Sequence, residues 1–199
     1  MTWKSWRRAF ARLPFLFVAA CGLWLIGQGA IIPLKAGLAQ ILLERAFAQS
    51  VATGRPVKPW PWADAAPVAR ISVPRLGVEQ IVLSGGSGEA MAFGPTLLPG
   101  GGRPGERGTA VFAAHRDTHF RFLAELRPGD LIEVEEVTGR TTRYRARAGR
   151  IVRYDAFGIG RHAARPSIAL ATCWPIGGTG RGPLRYVVRA EAITHGLGG

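Results

Sequence analysis

The stretch IALATCWP, Ile168 to Pro175, is a run of strand-forming apolar residues that stops on a cysteine and is broken at once by Trp174 and Pro175. A short continuous apolar run bounded by a breaker reads as a buried strand. Proline cannot donate to a ladder, so the strand ends here and the following loop turns away. Cys173 is thus placed at the rigid end of a strand, where a side chain can meet a ligand. The chain has one other cysteine, Cys21, inside a hydrophobic segment far upstream. No disulfide is expected between the two, which leaves Cys173 as either an inert small hydrophobe or a reactive thiol.

The same design recurs on both sides of this stretch. In GTAVFAAHRDTHF a strand, Thr109 to Ala114, runs out onto His115. In RYVVRAE a strand begins on Arg185, after the glycine-rich loop PIGGTGRGP. Taken singly, each residue has an ordinary explanation: a small core thiol, a hydrogen-bonded histidine, a solvated charge. Taken together, they supply a nucleophile, a base that can activate it, and a cation that can hold an oxyanion.

Around them the pattern is β. VARISV, EQIVLS, GTAVFAAH, LIEVEEV, TTRYRARAGRIVRY, SIALATC and RYVVRAEAI are short and alternating or β-branched, and Gly, Pro or Asp separates most of them. Seven or eight such strands over residues 67–196 predict a mostly β domain built as a closed or partly closed barrel. Helical interruptions are expected near Gly88 to Leu97 and from His119 to Leu126.

Residues 1–12 carry Lys4, Arg7, Arg8 and Arg12 and no acid, and Leu13 to Leu34 is free of charge. At ~1.5 Å per residue those residues make a helix about 33 Å long, enough to span a hydrocarbon core of about 30 Å. The basic flank predicts a cytoplasmic N-terminus and export of the rest. Two other readings compete. A cleaved signal peptide has a shorter apolar core, and Val18-Ala19-Ala20-Cys21 is similar to a lipoprotein box that would acylate Cys21. The apolar sequence that continues from Gly22 to Leu34 favours the uncleaved anchor. After it, residues 35–66 read as a short juxtamembrane helix, with Leu38, Ile41, Leu42 and Phe47 on one side, and then a Pro- and Trp-rich tether.

The formal charge is +13, carried by 26 basic residues of which only Lys4, Lys35 and Lys58 are lysines. Such a balance suits an anionic membrane surface, a polyanionic envelope or nucleic acid. An arginine-, alanine- and glycine-rich composition can equally reflect nucleotide bias. The basic residues are scattered through the second half and no nucleic-acid-binding signature accompanies them, so no nucleic-acid partner is assigned.

The residues then reach a known family. LATC resembles the cysteine signature of sortases, AAHRDTHF resembles their histidine segment, and the twelve-residue step from Cys173 to Arg185 resembles their Cys-to-Arg spacing. ISVPRLGVEQIVLSGGSGEAMAFGPTLLPG is similar to the opening strands and helix of the sortase domain, and the anchor with its PWPWAD tether resembles the Gram-negative, proteobacterial subgroup. Ala169 stands where the first Thr of the signature is usual, and Ala114 where Gly is common.

The resemblance implies a cysteine transpeptidase at the bacterial inner membrane with its catalytic domain in the periplasm. Cys173 would cleave the C-terminal sorting signal of a dedicated exported protein after Thr, through a thioacyl intermediate passed to an amine acceptor. His115 would act as general acid and base, and Arg185 would bind substrate backbone and oxyanion. Thr172 would shape the pocket, Asp117 and His119 would orient the loop beside His115, and Trp174 would line the acceptor side or cover the rim. Neither a metal nor an organic cofactor is implied. A metallohydrolase built on His115 and His119 lacks the glutamate and the helix that such a pair needs. Glu133, Glu135 and Glu136 read as a solvated strand face. A membrane-tethered β-barrel that binds a peptide or polyanion without catalysis is the alternative, and it has no use for the three-residue set. A cysteine hydrolase differs only in taking water as acceptor.

Overall fold

In the computed structural model, residues 3–156, 158, 163–180 and 182–193 are described. A single helix, α1, runs from Trp3 to Thr53. Contacts divide the chain into two compact units, residues 1–41 and 42–199. In the first, Phe17, Leu23, Trp24 and Leu25 are exposed apolar side chains. Among the described residues α1 is the one helix long and apolar enough to cross a membrane.

The second unit is built on strands that obey a period of two. In β1 (Pro67–Val73) buried residues alternate with half-buried ones, so Ala69, Ile71 and Val73 point inward. A short 3-10 turn over Pro74–Leu76 is closed by Gly77, whose φ of 61° is in the left-handed region that glycine enters without penalty. The chain returns antiparallel as β2 (Val78–Ser84). Ser87 then accepts a hydrogen bond from the Ala90 amide and starts α2, which is only Gly88–Met91. The rest of the stretch expected to be helical holds a two-residue strand, β3 (Thr96–Leu97).

Next come β4 (Gly108–Ala113), a second 3-10 turn over Arg121–Ala124, β5 (Leu131–Glu136) and β6 (Thr141–Ala146). The segment TTRYRARAGRIVRY is two strands, with β7 (Arg150–Arg153) following a break at Arg147 to Gly149. β8 (Pro166–Cys173) and β9 (Leu184–Ala192) complete the fold.

Hydrogen bonding runs in the order β6, β5, β1, β2, β3, β4, β8, β9 and closes on itself, because Tyr144 pairs with Ala192 and Ala146 with Ala190. The result is a closed eight-stranded barrel. One edge of β9 lies against β8, while its other edge is shared: Leu184 to Val187 pair with β7 and Ala190 to Ala192 with β6. Two pairs, β2 with β3 and β4 with β8, are parallel. The interior holds Ile71, Phe112, Phe120, Leu123, Ile132, Tyr144, Ile168 and Leu170.

The last turns of α1, from Leu42, belong to this unit. Leu43 and Phe47 are fully buried in a second apolar cluster with Ile81, Leu83, Ala90 and Val137. Arg70 lies over the Phe47 ring, 4.8 Å from its centroid, and pairs with Glu44 at 2.7 Å. Ser50 donates to the Ala46 carbonyl at 2.7 Å and accepts from the Val57 amide at 2.8 Å, tying the chain beyond the helix back onto it. Phe47→Ala should therefore cost about 3–5 kcal/mol, measured by urea unfolding in detergent, whereas Leu25→Ala should leave the barrel's transition unmoved.

Candidate active site

β4 and β8 are parallel, so both strands end at the same rim. Their register pairs Ala113 with Ala171, and the Ala114 amide continues the ladder to the Ala171 carbonyl at 3.3 Å. Thr172 then donates its hydroxyl to the Ala114 carbonyl at 2.8 Å from a position only 2% exposed. His115 follows on one strand and Cys173 on the other, so the ladder delivers an imidazole and a thiol side by side. β4 itself stops at Ala113, two residues short of His115, which leaves the ring exposed beyond the ladder.

The third member arrives by an antiparallel pairing. Cys173 and Arg185 are direct partners across β8 and β9, and opposed residues of an antiparallel pair place their side chains on one face with Cβ atoms about 5 Å apart. Arg185 Nη1 donates to the carbonyls of Gly182 and Leu184, each at 2.9 Å. Its guanidinium carbon lies 5.8 Å from the centre of the Tyr154 ring, within cation–π range.

Cys173, His115, Arg185 and Thr172 line one cavity of about 440 Å³, walled by Met91, Leu98, Ala113, Ala114, Ala171 and Tyr154. Cys173 is a free, half-buried thiol. Among the described residues the lining holds no carboxylate, so a thiol, an imidazole and a guanidinium share largely apolar surroundings. Met91, Leu98 and Tyr154 gave no signal in the sequence. They come from α2, the end of β3 and the loop after β7, and only barrel closure assembles them.

The other three residues singled out in the sequence lie outside this lining. Asp117 is 63% exposed and sits 3.6 Å from Arg116 Nε. Trp174 packs against Tyr186 with ring centroids 5.7 Å apart and borders a separate cavity with Pro175, Gly180 and Pro183. His119 is half-buried, its Nδ1 2.8 Å from the Gln80 side chain, and it also bonds the Ala92 carbonyl. It thus ties the loop after His115 to β2 and to the end of α2, next to Met91. Glu133, Glu135 and Glu136 pair with Arg143, Arg70 and Arg140.

Burial holds the pKa of His119 below the free value of 6.5. The bond to Ala92 opposes this and the nearby His115 adds to it.

A model of the sortase domain matches residues 71–193, a span that contains His115, Cys173 and Arg185. The chain belongs to the sortase family. Sortase D of Bacillus subtilis is 25% identical over 124 residues, which cover 62% of this chain and 63% of that protein, a little under two thirds of its length. The pilus-related sortase C of Group B Streptococcus superposes with a TM-score of 0.56 at 26% identity, over 65% of this chain and 68% of that one. Sortase A from Corynebacterium diphtheriae shares the fold over 81% of this chain and 86% of its own, with a TM-score of 0.60 at 20% identity.

Two outcomes are expected. Thr172→Val strips a buried carbonyl of its donor and should cost about 1–3 kcal/mol, while Thr172→Ser should recover most of it, both read by chemical unfolding. His119 binds its proton more weakly folded than unfolded. It therefore contributes stability that is present above about pH 6.5 and lost as pH falls through its lowered folded value. His119→Asn should flatten the stability profile below pH 6.5 relative to the parent, as measured by unfolding at a series of pH values.

Proposed function

We propose that this chain is a membrane-anchored cysteine transpeptidase of the Gram-negative sortase subgroup. It acts on the C-terminal sorting signal of a dedicated exported protein. The observation that carries the reading is the convergence of Cys173, His115 and Arg185 on one cavity, brought about by a parallel ladder on one side of β8 and an antiparallel ladder on the other.

The Cys173 thiolate attacks the carbonyl carbon of the substrate Thr, and the C–N bond to the next residue breaks. His115 gives its proton to the departing amine, leaving a thioester on Cys173. Arg185 donates to the substrate backbone and to the oxygen that becomes negative in the tetrahedral state, where a fixed guanidinium acts without reorganisation. An amine acceptor then loses a proton to His115, attacks the thioester and releases the thiol. Water in that second step gives hydrolysis instead.

The basic residues among the first twelve positions and the apolar run that follows them in α1 support a single-pass anchor in the inner membrane, with the N-terminus cytoplasmic and the catalytic domain, residues 67–196, in the periplasm. Neither mechanism nor topology draws on a metal, an organic cofactor or nucleic acid.

The full chain in detergent, incubated with a quenched library of Thr-containing peptides with and without triglycine, should cleave after Thr and form triglycine adducts detectable by mass spectrometry. Cys173→Ala should abolish cleavage, and persistence of cleavage in that variant would overturn the mechanism. Arg185→Lys should lower kcat/KM by about 100-fold or more, because one ammonium cannot reproduce the guanidinium fork.

A further inference from the structure

Among the described residues Arg116 is the one buried base, only 8% exposed. Its Nη2 donates to the Gly180 carbonyl at 2.9 Å, and its Nε has only the distant, solvated carboxylate of Asp117. Nη1 is buried with no partner among the described residues. A guanidinium held this way loses its hydration and recovers little of it, so the residue lowers the stability of the fold that contains it. Packing alone gives no reason for a charge at this position.

Its neighbours supply one. Arg116 directly follows His115, and Gly180 lies in residues 174–183, the segment that connects Cys173 to Arg185. Two residues beyond Gly180, the Gly182 carbonyl accepts from Arg185 Nη1 at 2.9 Å. The return of the same segment is held where the Trp174 amide meets the Leu184 carbonyl at 3.1 Å and the Tyr154 amide meets the Pro183 carbonyl at 2.8 Å. Two guanidinium groups, one from the histidine side and one from β9, therefore grip a single loop through carbonyls two residues apart.

We infer that Arg116 is a positioning residue: by holding Gly180 it fixes the loop whose Gly182 carbonyl in turn fixes the Arg185 guanidinium beside the Cys173 thiol. The inference rests on reading Cys173, His115 and Arg185 as one catalytic set. It adds a residue that touches neither thiol nor substrate and acts through the loop. Among the described residues, the ionisable groups that share the cavity with Cys173 are His115, two residues beyond β4, Arg185 from β9 and Tyr154.

The test uses the full chain in detergent with Cys21→Ser, which leaves Cys173 as the single thiol. The second-order rate of alkylation by iodoacetamide is followed against pH, alongside thermal unfolding. Arg185→Met should move the alkylation midpoint upward, because a cation facing the thiol across β8 and β9 is gone. Arg116→Met should move it in the same direction, add nothing when combined with Arg185→Met, and leave the melting temperature equal or higher. Arg116→Lys keeps one donor for one carbonyl and should restore the parent midpoint.

An unmoved midpoint in Arg116→Met, or a shift that adds fully to that of Arg185→Met, overturns the inference. A lowered melting temperature or loss of the unfolding transition in Arg116→Met shows a structural role and overturns it equally, as does failure of Arg116→Lys to restore the midpoint. If Arg185→Met itself leaves the midpoint in place, the catalytic set fails, and that result is distinct from a failure confined to Arg116.

Discussion

The parallel ladder between β4 and β8 is the constraint on which the site depends. Antiparallel neighbours would send their C-terminal ends to opposite rims and separate the imidazole from the thiol by the length of the strand, about 3.3 Å per residue. Parallel pairing instead aligns the two ends, and its register, Ala113 with Ala171, sets which residues emerge together. Thr172 locks that register at the last position before the rim, where its hydroxyl takes up the Ala114 carbonyl. A slip of one residue would turn Cys173 to the other face of the sheet.

Parallel strands cannot be joined by a tight turn, and the long connection from β4 to β8 is where the chain places β5, β6 and β7. Of these, β5 and β6 complete the ring through β1 and β9, and Tyr144 on β6 fills the interior while its hydroxyl accepts from the Gly105 amide at 2.6 Å. Burial of that phenol raises its pKa above the ordinary value, so it stays neutral and keeps its place in the core. Barrel closure and the meeting of thiol and imidazole share one cause. The crossover that makes β4 and β8 parallel also supplies the strands that shut the barrel.

Much of this was legible in the sequence because period and punctuation speak for themselves. The alternation in β1 and β5 marked them as strands, although Glu136, read with Glu133 and Glu135 as a solvated face, is only 5% exposed beside Arg140, and Pro175 marked where β8 stops. Cys173, His115 and Arg185 stood out because reactive side chains at strand ends are unusual in combination. What stayed hidden was long-range. β3 is two residues long and exists only because Leu83 and Ala113 flank Thr96 on either side. Tyr154 stood only as the last residue of a predicted strand segment and Leu98 had no assignment, because barrel closure alone brings them to Cys173. Nothing in the sequence set Arg116 apart, because its burial involves a loop more than sixty residues away. The arginine-rich composition pointed to no site. Eight of the thirteen acids are taken up in arginine ion pairs on or near the barrel surface, most of them too exposed to add much stability.

The division of β9 between two partners has a consequence for solubility. A ring of strands has no margin on which another chain can template itself, but β7 lies outside the ring and leaves one margin unoccupied among the described residues. That margin is only four residues long, and Arg150 and Arg153 stand at its two ends with Ile151 exposed between them. Arg153 is paired with Asp155, so the seam is guarded chiefly by its brevity and by the arginine at each end.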